Sequence, residues 1–471
     1  MKIKYIPLYI SIICMGLISC RYNSKEGLLI LTRVPAGSYN PGPGNSGSWR
    51  HIPGTQIIAL DPGKPGTAEI LTRDFHSACY PEISYDGRYM IFSAKEKESD
   101  LWQLFEMEIK NGKSRKITSS RSDCLDPVYL PAGRMAFSRY TVNDTVKSAY
   151  CLYTGNLDGS NIRQVTFSPY EDLATTVLKD GRFLAVHSNS LSGTGNQVLT
   201  VMRPDGTKAD MFYESVKGSK MISRPRQTGD GKILFIETVS ESPSENDLVS
   251  ITYNRPLHSR ENLTSEIEGN FSSVLPLQSG KMLVSYCEPG SDHYVLHEFD
   301  PQTRTLGRLI YEERNFSVTE VALAIQYERP KKLPSEVDPG VKTGLLLCQD
   351  INFKGYQASG EASGAHMASM VEILGIDSTY GVVPVEKDGS FYLKILADTP
   401  FQIRTLDEKG NVISGPCNWL WLRPNERRGC VGCHEDPETV PHNRIPDAVK
   451  KDPYIIPVHL TRIREKTVEL E

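Results

Sequence analysis

Five hairpin-like segments recur along residues 75–290, and this repetition constrains the fold more than any other feature. They read "CYPEISYDGRYMIFSA", "CLDPVYLPAGRMAFSR", "DLATTVLKDGRFLAVHS", "SRPRQTGDGKILFIET" and "FSSVLPLQSGKMLVSYC". In each, a strand-like run leads to a turn ending in Gly, then Arg or Lys, then an alternating apolar strand. The anchor glycines are Gly87, Gly133, Gly181, Gly231 and Gly280, spaced 46, 48, 50 and 49 residues apart. A turn ending in Gly between alternating runs is a hairpin signal, because Gly accepts the positive φ that a tight turn needs. Two more strand candidates follow each hairpin, as in "LWQLFEMEIK" and "SRKITSS". Four strands per repeat of this length is the plan of a β-propeller blade.

Five anchors do not complete a ring. Residues 27–72 hold the strands "LLILTR", "TQIIALD" and "AEILTR" without an anchor, and 316–328, "FSVTEVALAIQYE", hold a strand without a following blade. Joining the two leaves no open sheet edge and predicts an all-β, six-bladed propeller over 27–328. The repeats resemble those of TolB-type, WD-like periplasmic propellers.

Residues 329–343, "RPKKLPSEVDPGVKT", read as a linker. Residues 344–436 read as short strands separated by the turns "EKDGS" and "DEKGN", the pattern of a small β-sandwich. The remainder, 437–471, is Pro-rich and charged, with little apolar content for a core. In a chain of 471 residues, two domains match the usual size of a single core.

The N-terminus, "MKIKYIPLYISIICMGLISC", has a basic start at Lys2 and Lys4 and an apolar run too short for a stable membrane span. It resembles a bacterial lipoprotein signal: 1–19 is the expected leader, Cys20 the acylated residue and 20–26 the tether. The expected location is therefore the cell envelope, membrane-anchored and facing the periplasm. The formal net charge is −4, and losing the two leader lysines makes it more negative. Nothing basic remains to draw the chain to nucleic acid. Of ten cysteines, eight lie beyond Cys20, in a compartment that permits disulfides. Cys348 and Cys417 fall in the same domain and are candidates to pair.

Near the C-terminus stands "RPNERRGCVGCHEDPE", containing Cys430-Val-Gly-Cys433-His434. A structural zinc site needs four ligands, usually from two paired motifs, and the mature chain has one Cys-x-x-Cys. Cys417 and His442 are available to complete such a site, but at no familiar spacing. A redox disulfide of the thioredoxin type needs a βαβ context that this sequence lacks. A c-type haem needs two thiols for the porphyrin vinyl groups and a histidine for the iron. Cys430, Cys433 and His434 supply all three at the required spacing. Zinc and a simple disulfide stay open as alternatives.

The stretch "YGVVPVEKDGSFYLKILADTPFQIRTLDEKGNVISGPCNWLWLRPNERRGCVGCHEDPE" closely resembles the middle domain of the hydrazine synthase alpha subunit family, over about residues 340–450. The most specific piece is "WLWLRPNERRGCVGCHE", and the propeller ahead of it fits that family's domain order. The resemblance implies one haem c attached through Cys430 and Cys433, with His434 as iron ligand. Two departures bear on activity. Hydrazine synthase alpha has a second haem domain, whereas Cys-x-x-Cys-His occurs once here. Its first haem has a tyrosine ligand just after the motif; here Glu435, Asp436, Pro437 and Glu438 follow, and the next tyrosine is Tyr454. The resemblance thus implies the domain and the haem without hydrazine synthesis. Candidates for a sixth ligand are His442, His459, His366, Met367 and Met370.

A second constellation lies before the anchored hairpins, in "DFHSACYPE", "RSDCLDP" and "SPYEDLA". Matching positions in adjacent blades begin at one end of the channel, so His76, Cys79, Asp123, Cys124 and Asp126, with Glu171 and Asp172, are candidates for a propeller-mouth site binding zinc or another transition metal. Turn capping and burial are the competing explanation for the same residues. No hydrolase triad, P-loop or dinucleotide fingerprint is present. Two functions follow. One is a haem-dependent redox protein, transferring electrons or acting on a small molecule, with a redox or envelope protein as partner. The other is a non-catalytic propeller scaffold with a structural or metal-binding motif.

Overall fold

The computed structural model describes residues 27–39, 51–64, 68–188, 197–216, 218–238, 246–353, 367–431 and 443–457. Six antiparallel sheets follow one another from the N-terminus. The first holds β1 (Leu28–Pro35), β2 (Gln56–Leu60) and β3 (Glu69–Ile70). The second holds β4 (Ser77–Ile83), β5 (Tyr89–Lys95), β6 (Gln103–Glu108) and β7 (Lys113–Lys116). The third holds β8 (Cys124–Leu130), β9 (Arg134–Asn143), β10 (Lys147–Asn156) and β11 (Arg163–Gln164). The fourth holds β12 (Glu171–Val177), β13 (Phe183–Ser188), β14 (Val198–Met202) and β15 (Asp210–Glu214). The fifth holds β16 (Lys220–Met221), β17 (Arg226–Gln227), β18 (Lys232–Thr238), β19 (Asn246–Thr252) and β20 (Glu261–Asn262). The sixth holds β21 (Asn270–Pro276), β22 (Met282–Cys287), β23 (Val295–Asp300) and β24 (Thr305–Tyr311).

The next strand, β25 (Phe316–Ala324), returns to the first sheet and pairs antiparallel with β1 along its whole length. The strand left over at the end of the repeats thus completes the sheet left short at the start. Each sheet then shares an apolar layer with the next. Phe92 and Met107 of the second meet Ile30 and Ile57 of the first. Ile91 and Leu104 of the second meet Phe137 of the third, and Leu152 of the third meets Phe183 of the fourth. Leu199 meets Phe235, and Leu234 meets Phe271. Leu283 and Leu296 of the sixth sheet close the cycle on Leu31 and Ile58 of the first. A wholly buried phenylalanine recurs in sheets two to five, on β5, β9, β13 and β18: Phe92, Phe137, Phe183 and Phe235. Each such burial contributes roughly 1.5–3 kcal/mol.

Hydroxyls on second strands also stitch neighbouring sheets together. Thr32 Oγ1 accepts the Tyr80 N–H at 3.2 Å, Ser138 Oγ donates to the Asp172 carbonyl at 2.7 Å, and Ser285 Oγ donates to the Val318 carbonyl. The five anchor glycines all have positive φ, between 68° and 91°. The residue pattern around them has a local cause. Asp86 and Asp180 each accept the N–H of the arginine two positions on and pair with its guanidinium, so Asp-Gly-Arg closes on itself.

The second unit is two four-stranded sheets around one core. One sheet runs β32 (Arg427–Cys430), β26 (Thr343–Cys348), β29 (Phe391–Leu396) and β33 (Tyr454–Ile456). The other runs β28 (Thr379–Pro384), β27 (Met370–Leu374), β30 (Gln402–Leu406) and β31 (Val412–Ser414). Leu346, Leu393 and Ile395 of the first pack on Val371, Ile373 and Val383 of the second. Of residues 437–471, expected to lack core, the described stretch 443–457 contributes here. β33 pairs in parallel with β29, Ile456 is 1% exposed in the core, and a 3-10 turn, Asp447–Lys450, is tied to Ser390 and Asp388. A three-residue strand is too short to announce itself by periodicity.

The linker is held down rather than loose. Tyr327 N–H donates to the Tyr85 carbonyl and Lys331 N–H to the Lys179 carbonyl, so it crosses the hairpins of the second and fourth sheets. Two anchor glycines lie directly beneath the linker and the residues that lead into it. A Cβ on Gly181 would sit 2.1 Å from the Lys331 carbonyl oxygen, and one on Gly87 would sit 2.7 Å from the Ile325 carbonyl carbon. Gly133 has the same positive φ with open space around it. Gly133→Ala is therefore expected to cost about 1 kcal/mol from backbone conformation alone. Gly181→Ala is expected to cost about 2–4 kcal/mol, because the linker must also shift. Urea unfolding midpoints of the two variants check this; equal losses would show that the linker does not press on the hairpin.

Candidate functional site

Cys430 ends β32, and the sequence around it explains how that strand is placed. Trp421 leaves the second unit and inserts between the third and fourth sheets of the ring. It is 2% exposed among Val128, Leu152, Phe183 and Met202. Its indole N–H donates to the Gly206 carbonyl at 3.3 Å. Arg423 lies over the Phe167 ring at 4.8 Å and pairs with Asp398 at 2.7 Å. The Glu426 carboxylate, wholly buried, accepts the Arg423 N–H at 2.8 Å and the Lys208 N–H at 2.7 Å, and it pairs with Arg428. One carboxylate thus joins both units at the start of β32. Asn425 turns the chain in the left-handed region, at φ 67°.

From there β32 runs parallel to β26, with Cys430 opposite Cys348. Gln349 N–H donates to the Cys430 carbonyl at 2.9 Å, and Asp350 N–H to the Val431 carbonyl at 3.1 Å. Cys430 is part-exposed and packs against the apolar core around Leu346 and Leu393. A half-open thiol beside an apolar wall suits attachment of a flat, mostly apolar porphyrin. Cys433 and His434 lie outside the described residues, as do Cys20, His366, His442 and His459. Met367 is exposed and Met370 stands in β27, in the sheet that does not contain Cys430.

Cys348 and Cys417 are not bridged to each other. Cys348 is in β26 beside Cys430, while Cys417 Sγ accepts the Ile403 N–H at 3.2 Å. This hydrogen bond also gives Cys417 a role other than zinc ligation.

The expected propeller-mouth cluster is not assembled: among the described residues, no three of His, Cys, Asp and Glu stand where a metal ion would need them. The residues serve the ring instead. His76 Nδ1 meets Ser77 Oγ at 2.9 Å. Cys79 is buried with Tyr80, Trp102 and Leu125. Asp123 accepts the Trp102 N–H at 2.8 Å. Cys124 is buried among apolar side chains, and burial pushes its thiol up to about 11, which disfavours the thiolate that a metal binds. Asp126 is 0% exposed and accepts the Ala174 N–H at 2.7 Å, linking third sheet to fourth. The cause is local backbone shape. β4, β8 and β12 each bulge near their start, with Tyr80, Asp126 and Ala174 at φ of 53°, 51° and 52°. The bulge re-aims the side chain, as bulges do, so Asp126 turns toward the neighbouring strand.

Sequence reasoning missed what does come together there. His51, from the loop between β1 and β2, has Nε2 at 3.6 Å from Asp126 Oδ1 and stacks near Tyr80 and Trp102. His187 Nδ1 lies 2.8 Å from Asp172 Oδ1. Burial and then the Asp172 charge push the Glu171 carboxyl above its ordinary value. His51 stands far from Asp126 in sequence, so no spacing signal existed for that pair.

The family model described as the hydrazine synthase alpha subunit middle domain matches residues 348–435. The hydrazine synthase subunit alpha of Kuenenia stuttgartiensis is 22% identical, across 82% of this chain and 63% of its own length. The chain thus spans less than two thirds of that relative. The solved Kuenenia stuttgartiensis hydrazine synthase superposes with a TM-score of 0.76 at 20% identity, covering 91% of this chain and 72% of that one. TolB from Acinetobacter baumannii superposes with a TM-score of 0.46 at 15% identity, over 63% of this chain and 67% of that one.

Two predictions test the docking of the units. Trp421→Ala is expected to cost about 3–5 kcal/mol, as for a large core truncation. Thermal unfolding should then split into two transitions; one unsplit, unshifted transition would show that the indole does not couple the units. The second concerns the linker at Asp205, whose carboxylate accepts Ser335 Oγ–H and Glu336 N–H at 3.0 and 2.7 Å. Burial raises its pKa, but hydrogen bonds from Thr207, Glu336 and Ser335 pull it below the ordinary carboxylate value. A depressed folded pKa stabilises above the unfolded pKa, and that contribution is lost as pH falls through the folded one. Asp205→Asn should lower the melting temperature at neutral pH, by about 1 kcal/mol in stability. The gap from wild type should close as the solution is acidified through the carboxylate range; a gap independent of pH would exclude Asp205 as its source.

By sequence over residues 348–435, and by fold over nearly the whole chain, this protein resembles the hydrazine synthase alpha subunit, and its second unit matches that family's middle domain.

Proposed function

We propose that this chain is a lipid-anchored, periplasm-facing c-type cytochrome-like protein, built as a six-bladed propeller followed by a domain bearing one covalent haem. The observation that carries the proposal is the placement of Cys430. It ends a strand fixed at its start by Glu426 and Trp421, it is half-open beside an apolar core, and it lies in the segment matching the family. In this reading Cys430 and Cys433 hold the porphyrin and His434 ligates the iron. The haem, when bound, supplies one-electron chemistry or a site for a small molecule on iron. The protein's own part is positional. The parallel pairing of β32 with β26 fixes the Cys430 backbone, and the apolar core keeps water from one side of the thiol.

The proposal stops short of hydrazine synthesis. Glu435, Asp436, Pro437 and Glu438 stand where a tyrosine ligand follows the motif in that enzyme. Acylated Cys20 supplies the membrane anchor in this reading, and a redox or envelope protein the partner. A haem peroxidase stain on a denaturing gel of protein from its native host is the direct test. A stained band at the mass of the chain is expected, absent in Cys430→Ser/Cys433→Ser. No stained band in a host that matures other c-type cytochromes would overturn the reading and leave the motif as a metal or disulfide site.

A further inference from the structure

The centre of the ring carries an ion-pair network that the redox reading does not use. Arg224 stands between β16 and β17, and its side chain is 0% exposed. Its Nη1 pairs at 2.8 Å with Glu82 of β4, in the sheet three positions round the ring. Arg226 Nη1 reaches the same Glu82 oxygen at 3.2 Å, and its Nη2 reaches Glu320 of β25 at 3.0 Å. Two guanidiniums from the fifth sheet thus share two carboxylates from the second and first, across the axis of the ring.

The charges balance, but the hydrogen bonds do not. Arg224 Nε and Nη2 are buried and have no partner among the described residues. These two nitrogens form one edge of the guanidinium, the side-on fork that matches two oxygens of a carboxylate or phosphate. Thr175 Oγ1 and Ser273 Oγ are likewise buried without a partner among the described residues. They lie in the sheets on either side of Arg224, each 49 residues from it, which is the repeat spacing. A buried charged donor without an acceptor is costly, so this edge of the guanidinium is suited to take one.

The charge around the neighbouring partners of Arg224 bears on what that acceptor is. A cavity of about 400 Å³ opens beside Arg226 and Glu82, roofed by the linker. Its rim carries Lys179, Arg329 and Lys331 against Glu328. With the inner network neutral, the approach is net positive and favours an anion.

We propose that the centre of the ring is a binding site for a compact oxyanion, of the carboxylate, phosphate or sulfate class, held on the Nε–H and Nη2–H edge of Arg224. The linker and its basic residues form the entrance. The site is separate from Cys430 and does not depend on haem.

Isothermal titration of the full chain tests this, with inorganic phosphate, sulfate and acetate as probes in buffer of constant ionic strength. Saturable binding of at least one probe at one site per chain is expected. Arg329→Gln/Lys331→Gln changes only exposed or part-exposed entrance residues and should weaken binding by roughly threefold to tenfold. Arg224→Lys, which keeps the charge and removes the fork, should weaken it at least roughly tenfold. Circular dichroism reports whether each variant is folded. No saturable heat with any probe from folded wild type would overturn the proposal and leave water as the partner of Arg224. Binding that survives unchanged in both folded variants would overturn it equally, as an adventitious ion only.

Discussion

The pairing of β25 with β1 is the contact on which the rest of the structure depends. Without it the first sheet has three strands and an open edge, and the sixth sheet has no neighbour on one side. With it the apolar layers form a closed cycle, from Leu283 and Leu296 back to Leu31 and Ile58. Closure is a non-local event, since Leu28 and Ala324 are near opposite ends of the ring-forming segment yet face each other in register. The entropy of joining the ends is offset because every sheet gains a second packed face at once. The same closure brings Arg224 and Arg226 against Glu82 and Glu320.

A second constraint joins the ring to the domain behind it. The chain leaves β25, crosses the second and fourth hairpins, and fixes its linker to Asp205. The second unit then returns one residue, Trp421, to the core between the third and fourth sheets. Gly206 must lack a side chain for this, since a Cβ there would lie 1.9 Å from the Val165 carbonyl oxygen. Cys430 is nine residues beyond Trp421 on a strand whose start shares Glu426 with the ring. Cys430 is therefore presented from the junction of the two units.

The polar residues of the ring fall into two uses. Asp123, Asp126 and the hydroxyls of Thr32, Ser138 and Ser285 accept or donate to the backbone and tie one strand to the next. Acids committed to backbone N–H groups of separate strands do not converge, and among the described residues no three metal-ligating side chains gather. Arg224 is the opposite case. Arg224 is among the buried groups without a full set of hydrogen bonds among the described residues, and two adjacent nitrogens of its guanidinium are left together on one edge.

By itself the sequence determined the all-β class, the five Gly-anchored hairpins, the break at the linker and the Cys-x-x-Cys-His stretch. Each is written in local chemistry: a positive φ, an alternation of period two, a Pro-rich interruption, a fixed spacing of ligand types. The joining of 316–328 to the first sheet was also legible, because an incomplete first repeat and a surplus last strand solve each other. What tertiary structure alone decided is where side chains of separate elements meet. The bulges at Tyr80, Asp126 and Ala174 depend on backbone shape that composition does not encode, and they dispersed the expected metal ligands. The three-residue strand Tyr454–Ile456 exists because β29 has a free edge, not because of its own pattern. Trp421 lies in the second unit by sequence and packs in the ring, because the groove that receives it forms only when two sheets pack. Arg224 lies in the run before a repeat's turn, and its buried, half-satisfied state follows from ring closure, which no local window of sequence contains.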